Sequence, residues 1–420
     1  MERDVPRPTR LLTVTKPTSP PVLITTVVAA LWVAGFAPLV AQSKVDALLD
    51  GSSLQELWVH VNARDWEDLH THYQDNTYYP ADVEWQGTRV RNAAIRVRGV
   101  ASRNGHKPSF RLDFNRYVTG QTFFGLDALT LDSSWQDPSM ITNRLSMSIF
   151  RRMGIAAPRV AHVRLFAGAA REFVGVYAVT EEVTPSFVRS HFGEDSGYLY
   201  EFNHLQNDDW GFQDPGPGLG WYVLRFSPKT HDTESVAQLY APIRELVLRI
   251  NEAPQSDLES RLGGYIDINE FITMLAIQNF VAQTDGLVGG VGLNNFYLYR
   301  FAGKNLSWFI PWDQGNAFGL FDVPPGWNMD SNVLASKIWN EPKYRARYLA
   351  ALLEVANVVS ADGALLAEAQ RDYQQIRDAV YTDVLAPYPL EQFEQMHATV
   401  QQFIRTRPDN VRQYVASLTQ

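Results

Sequence analysis

Cysteine is absent from all 420 positions. That excludes disulfide scaffolds, thiol nucleophiles and thiolate-held zinc or iron-sulfur centres, and it leaves oxygen or imidazole as the ligands for any metal. Positive charge is in short supply as well: 37 Lys and Arg face 46 Asp and Glu, for a formal net charge of −9. No nucleic-acid partner is expected, because a polyphosphate backbone is held by a basic surface. A small basic pocket for phosphate is compatible with the same balance. Internal repeats and low-complexity tracts are missing too, and after residue 41 no stretch reads as apolar enough to span a bilayer. What the chain does have is 45% hydrophobic and 12% aromatic residues, enough at this length to bury a large core in two or three folding units.

Four regions follow from the patterning. In residues 1–42, Arg3, Arg7, Arg10 and Lys16 precede the apolar run from Val22 to Ala41. This is the outline of an export signal ending near Ala41, with an uncleaved N-terminal anchor as the alternative. The expected location is secreted, periplasmic or in the cell envelope, with membrane contact only if the segment stays attached. Residues 43–200 read as a sheet lobe. Short alternating strands (LWVHVNA, ADVEWQG, AAIRVRG, SFRLDF) predict a twisted antiparallel sheet. One helix follows, opened by Asp137 and Pro138 and stopped by Gly154, and then the strands VAHVRLF and EFVGVYAVTEE. Residues 201–235, rich in Asn, Asp, Gly and Pro, read as an irregular insertion. Residues 236–420 read as mainly helical. There Asp267 and Glu270 suggest a capping box, and a glycine-rich loop leads to the strands NNFYLYRF and SWFIPWD.

Three stretches place polar residues where a core pattern would not. In RVRGVASRNGHKPSFRLDF, alternation puts Phe110, Leu112 and Phe114 on one face and Lys107, Ser109, Arg111 and Asp113 on the other. Lys107 or Arg111 beside a Gly/Ser/Asn loop can neutralise phosphate; a solvated hairpin face is the alternative. In QTDGLVGGVGLNNFYLYR, Asp285 lies just past a helix end and Asn295 opens the next strand, a carboxylate and amide that suit base and metal ligand in phosphoryl transfer. In WFIPWDQGNAFG, Asp313 ends an apolar strand, where a carboxylate is costly unless paired or cation-bound, and Asn316 lies in the same turn. A turn-capping Asp is the alternative there.

The ordered segments RVRGVAS, KPSFRLDF, GLDALTLDSSWQDPSMITNRLSMSIFRRMGIAAPRVAHVRLF, VGVYAVTEEVTPSFV, IDINEFITMLAIQNFVAQTDG, NNFYLYR and FIPWDQGNAFG resemble the CotH (spore-coat protein H) kinase family. The resemblance runs from about residue 55 to about residue 415. It implies an α+β, kinase-like, two-lobed fold: an N-terminal antiparallel sheet with one helix and a mainly helical C-terminal lobe carrying the catalytic loop. It further implies ATP with Mg2+ or Mn2+ as cofactors and a hydroxyl of an exported protein as acceptor. By the same resemblance Asp285 is the catalytic aspartate, Asn295 and Asp313 are metal ligands, Lys107 and Arg111 meet the nucleotide phosphates, and Glu181 leads into the inter-lobe hinge. Two positions depart from the family's pattern. Gly315 stands where members commonly carry a second aspartate, and the helix from Ser139 to Met153 holds no Glu, with Asn143 near the place of the usual lysine partner. A structural or surface protein that keeps the fold without the chemistry is the second reading.

Overall fold

The computed structural model describes residues 44–419; the expected export segment 1–42 lies outside them. Seven strands form the first half: β1 (Gln55–His60), β2 (Tyr79–Trp85), β3 (Thr88–Arg98), β4 (Ser109–Asp113), β5 (Ala128–Asp132), β6 (Val160–Ala167) and β7 (Glu172–Glu181). Alternate positions send Val83 and Trp85, Ile95 and Val97, Phe110 and Leu112, and Leu129 and Leu131 into one core, while β5 and β7 are buried along most of their length. The sheet is not open. It closes as a barrel in the order β1-β2-β3-β4-β5-β7-β6, through a parallel pairing of β1 with β6 from Gln55↔Val163 to Val59↔Ala167. Alternation reports which face is inward and is the same for an edge strand and a closing one, so the closure was not legible in the pattern. The mixed α+β composition is as expected, while a closed barrel stands in place of the antiparallel sheet of a kinase-like lobe.

The single helix between β5 and β6 is α2 (Thr142–Arg152); α1 (Ala63–Thr71) lies between β1 and β2. α2 starts later than Asp137 and Pro138 suggest. Asp137 acts from a preceding turn: its Oδ1 accepts from the Ser139 N–H at 2.9 Å, and its Oδ2 from the Thr142 N–H at 2.9 Å and hydroxyl at 2.7 Å. The expected stop holds, with Gly154 in the left-handed region at φ 78°.

After α3 (Pro185–Phe192) comes a four-stranded sheet of order β11-β10-β8-β9, built from β8 (Tyr198–Phe202), β9 (Phe226–Pro228), β10 (Phe296–Arg300) and β11 (Ser307–Pro311). The segment expected to be irregular thus supplies a strand and the short helix α4 (Gly220–Arg225). Helices α5 (Val236–Glu252), α6 (Leu258–Leu262) and α7 (Ile268–Phe280) follow, then α8 (Val333–Asn340), α9 (Pro342–Ser360), α10 (Ala364–Tyr381) and α11 (Leu390–Thr419). α7 is buried almost throughout. Asp267 caps it by accepting from the Asn269 and Glu270 N–H groups, but the Glu270 side chain turns inward instead of completing a capping box. Burial and the nearby Asp267 raise its pKa well above the usual carboxylate range. Residues Pro342–Tyr381 reach the length and apolarity of a membrane span, contrary to the sequence reading. The chain breaks there at Asp362 and Gly363, both at positive φ, into two packed helices, and Tyr344, Tyr348, Leu352 and Val355 are buried in the second core.

A buried ion pair pins the barrel to the helices. Lys107, with no solvent exposure, reaches the Asp383 carboxylate at 2.7 Å and the Val176 carbonyl at 3.0 Å. The same carboxylate accepts from the Val176 N–H at 2.9 Å. Asp383 sits in the link between α10 and α11, and it fits only because residue 175 is glycine: a Cβ there would stand 2.4 Å from the carboxylate. The backbone is also at φ 126°, which disfavours any side chain. Removing one partner of such a pair strands the other charge out of water. Asp383→Ala should therefore cost about 3–5 kcal/mol of unfolding free energy. The Lys107→Met/Asp383→Leu double variant should recover most of it. Urea midpoints measure both, and a single-variant loss under about 1 kcal/mol would show the pair to be incidental.

Candidate functional site

A cleft of roughly 400 Å³ lies between the barrel rim and the second sheet. β3 and β4 supply Arg96, Arg98, Arg111 and Asp113 to one wall, the strand-to-helix link supplies Glu182 to Pro185, and Glu201, Lys229, Tyr297 and Trp312 form the facing wall. Cations and carboxylates alternate around it. Arg111 donates from Nε to Glu182 at 2.8 Å, from Nη1 to Asp113 at 2.5 Å and to the Tyr78 hydroxyl at 2.6 Å. Glu182 also accepts from the Thr130 hydroxyl at 2.9 Å. Lys229 pairs with Glu201. Burial alone would raise the Glu201 pKa, but Lys229 and Arg98 outweigh it and hold the carboxyl below its usual range.

Asp313 lies just beyond β11, at φ 42°, and Asn295 just before β10, at φ 57°. Non-glycine residues in this region are uncommon and cluster at functional sites. The turn after Asp313 is fastened to α2: the Gln314 N–H donates to Asn143 Oδ1 at 3.0 Å, and the Thr142 hydroxyl, whose one proton is shared between Asp137 and this turn, lies 2.7 Å from the Gly315 carbonyl oxygen. Asn143, the helix residue where an acid was expected, is thus a clamp on the Asp313 turn. Burial first, then the charge of Asp132, push the Asp313 pKa up; Arg98 opposes, Asp285 adds, and the carboxyl settles at about 6.

Asp285 follows α7 by five residues, and asparagines hold it in place. Its Oδ1 accepts from Asn294 Nδ2 at 2.8 Å and its Oδ2 from Asn316 Nδ2 at 3.4 Å. Asn295 spends its Nδ2 on the Asp285 carbonyl, at 2.8 Å, which leaves its side-chain oxygen for another partner. The Trp312 N–H bonds the Asn295 carbonyl at 3.0 Å and ties the two segments together. The segments that carry Asp285, Asn295 and Asp313 are therefore brought together.

The proposed phosphate and hinge residues fare differently. Lys107 does not face the cleft. β4 begins only at Ser109, after Pro108, and the Asn104 side chain accepts from the Lys107 N–H at 2.8 Å, so strand alternation does not extend back to Lys107. Its ammonium is sealed against Asp383. Arg111 lines the cleft with its guanidinium already engaged. Glu181 points away, in a two-bond pair with Arg159 at 2.9 Å for each contact; its neighbour Glu182 faces the cleft instead. Arg98, Glu182 and Asp132 were missed. The register Arg96↔Arg111 and Arg98↔Ser109 places Arg98 on the strand face that bears Arg111, a signal present in the alternation of RVRG. Asp132 ends β5, its Oδ1 accepting from the Ser109 hydroxyl at 3.1 Å and the Ser134 N–H at 2.9 Å.

The donor set suits a hard divalent cation shared with a ligand. Asp313 and Asn295 offer oxygens, and Asp313 is raised by its burial first, with Asp132 and Asp285 adding to it. Among the described residues no three acidic or histidine side chains converge tightly enough to hold a metal unaided. Mg2+ in phosphoryl-transfer sites uses one or two carboxylates and takes its other ligands from water and phosphate.

The chain is similar to the inner spore coat protein H of Bacillus subtilis (strain 168), with 23% identity over 373 residues, covering 87% of this chain and 98% of that protein. The family model described as CotH kinase protein matches residues 95–411, from within β3 to within α11. That span holds every residue that lines the cleft or carries the three convergent side chains, and the chain belongs to the CotH kinase protein family.

Proposed function

We propose that this protein is an exported phosphotransferase that uses ATP and Mg2+ or Mn2+ to phosphorylate a hydroxyl of another exported protein. The observation that carries this reading is the convergence of Asp285, Asn295 and Asp313 on one turn-and-loop scaffold beside a cation-lined cleft. Asp313 and the free oxygen of Asn295 would hold the metal, whose chemistry is to neutralise charge developing on the phosphoryl oxygens. Asp285 accepts amide hydrogen bonds on both oxygens and is fixed in direction, as a group that orients an acceptor hydroxyl and takes its proton must be. Arg98, rather than Lys107, supplies the phosphate-facing cation. The wall from Glu182 to Pro185 bounds the remainder of the nucleotide.

A second reading, a coat or envelope component without turnover, has specific support. The relative carries a spore-coat name, and Gly315 lacks the second carboxylate. The two readings diverge in measurable ways. Under the phosphotransferase reading, Asp313→Asn should weaken Mn2+-dependent ATP binding and turnover together, because the amide keeps the shape and loses the charge. Asp285→Asn should leave ATP affinity within about twofold and lower the rate roughly 100-fold or more. Titration calorimetry and a labelled-ATP transfer assay separate the effects. Equal affinity losses in both would contradict the role given to Asp285, and the absence of any nucleotide binding would favour the coat reading.

The missing carboxylate can be restored. A Cβ at Gly315 would have only Asp313 Oδ1 nearby, at 3.5 Å, and the backbone there is not left-handed. Gly315→Asp should therefore fold, and in the presence of ATP it should raise Mn2+ affinity about tenfold. An unchanged affinity would place the cation elsewhere. Because Asp313 keeps its proton up to about pH 6 and metal binding requires the carboxylate, Mn2+ affinity should decline below that pH, by up to about tenfold per unit. A pH-independent affinity between 5 and 7 would count against Asp313 as a ligand.

A further inference from the structure

Arg98 stands apart from the other basic side chains of the cleft. Arg111 is engaged with Glu182 and Asp113, Lys229 with Glu201, Arg189 with Asp195, and Arg96 with Asn76 and the Val97 carbonyl. Among the described residues, the Arg98 guanidinium has no hydrogen-bond or ion-pair partner; it lies over the Trp312 ring, 5.4 Å from its centre. Trp312 immediately precedes Asp313. Across the strands, Arg98 pairs with Ser109, whose hydroxyl holds Asp132. Four carboxylates act on the guanidinium, Asp313 most strongly, then Asp132, Glu182 and Glu201, yet none lies within 4.0 Å.

No hydrogen bond or ion pair fixes the Arg98 guanidinium in place. Arg98 keeps all five N–H donors of the guanidinium for an incoming ligand, in a fork that matches phosphate oxygens. Until such a ligand arrives, its positive charge is the strongest one acting on Asp313.

We propose that Arg98 is a charge gate: it keeps a lone divalent cation from settling at Asp313, and it releases Asp313 to the cation when nucleotide phosphates draw the guanidinium away. The gate rests on the phosphotransferase reading and adds to it a specificity for the metal–nucleotide complex over either component alone. Coupling of this kind is reciprocal, so ATP tightens Mn2+ by the same factor that Mn2+ tightens ATP.

The test uses the purified full chain and its Arg98→Gln and Arg98→Lys variants, with Mn2+ binding followed by the paramagnetic resonance of free Mn2+ and ATP binding by calorimetry. Arg98→Gln should bind Mn2+ alone about tenfold more tightly than the parent, because a like charge is gone, and should bind ATP with saturating Mn2+ about tenfold or more weakly. Arg98→Lys keeps the charge and loses the fork, so it should still resist Mn2+ alone while binding ATP less well. These opposite signs are not expected of a residue that merely packs. Unchanged or weaker Mn2+ binding in Arg98→Gln overturns the gate while leaving the phosphotransferase reading intact. Failure of the parent chain to bind Mn2+ even with ATP overturns both.

Discussion

The Lys107–Asp383 pair is the constraint on which the geometry of the cleft depends. It joins the segment just before β4 to the link between α10 and α11 and binds β7 through both backbone groups of Val176. β4 carries Arg111, and β7 runs directly into Glu182. The barrel rim is thereby held at a fixed height over the second sheet. A wide opening of the cleft would pull a buried ammonium from its carboxylate, at a cost of several kcal/mol. Ligand entry must then rely on side chains such as Arg98 more than on swinging one half of the molecule against the other.

That role also explains why lysine was misread in the sequence. A lysine near a flexible loop, two residues before a strand with cations on its outer face, has the composition of a phosphate contact. What decided its fate was a residue 276 positions away, together with a glycine that leaves room for it. Neither spacing nor periodicity encodes a tertiary ion pair of that separation. Glu181 and Glu182 illustrate a finer failure. Glu181 ends β7 and Glu182 follows it, and the one-residue offset sends one carboxylate to Arg159 and the other to Arg111. Asp285, Asn295 and Asp313 share a different property: each sits in a turn or loop beyond an element end, a place that the end of a helix or strand pattern marks in the sequence. Two of them are held at positive φ, a local strain that short polar side chains tolerate best. The strands, too, were readable one by one, while their closure was a property of β1 and β6 together.

Charge in the cleft is arranged as closed ion pairs around an open centre. Arg111 with Glu182 and Lys229 with Glu201 cancel locally, so they shape the walls without adding much net field. The centre is different: Arg98 lies among carboxylates that it does not touch, and Asp313 is pushed toward neutrality by burial, then by Asp132 and Asp285, against Arg98. An inert scaffold gains nothing from such an arrangement, because unpaired charge in a confined site raises the free energy of the folded chain. A site that must receive a cation and a polyanion together gains a great deal, since both arriving charges find their complements in place.

Gly315 bears on the same balance. Burial, then Asp132 and Asp285, already raise the Asp313 pKa to about 6 against Arg98, and without a metal a second carboxylate beside Asp313 would push it further the same way. Here the barrel itself supplies an acid near Asp313, through Asp132 held by Ser109 and Ser134. With glycine at 315 and aspartate at 132, the negative charge around the cation position is divided between two structural units instead of concentrated in one turn. A site of that kind loses affinity for a metal alone. It retains the charge needed once phosphate oxygens complete the coordination, so the departure at 315 is compatible with turnover as well as with its loss.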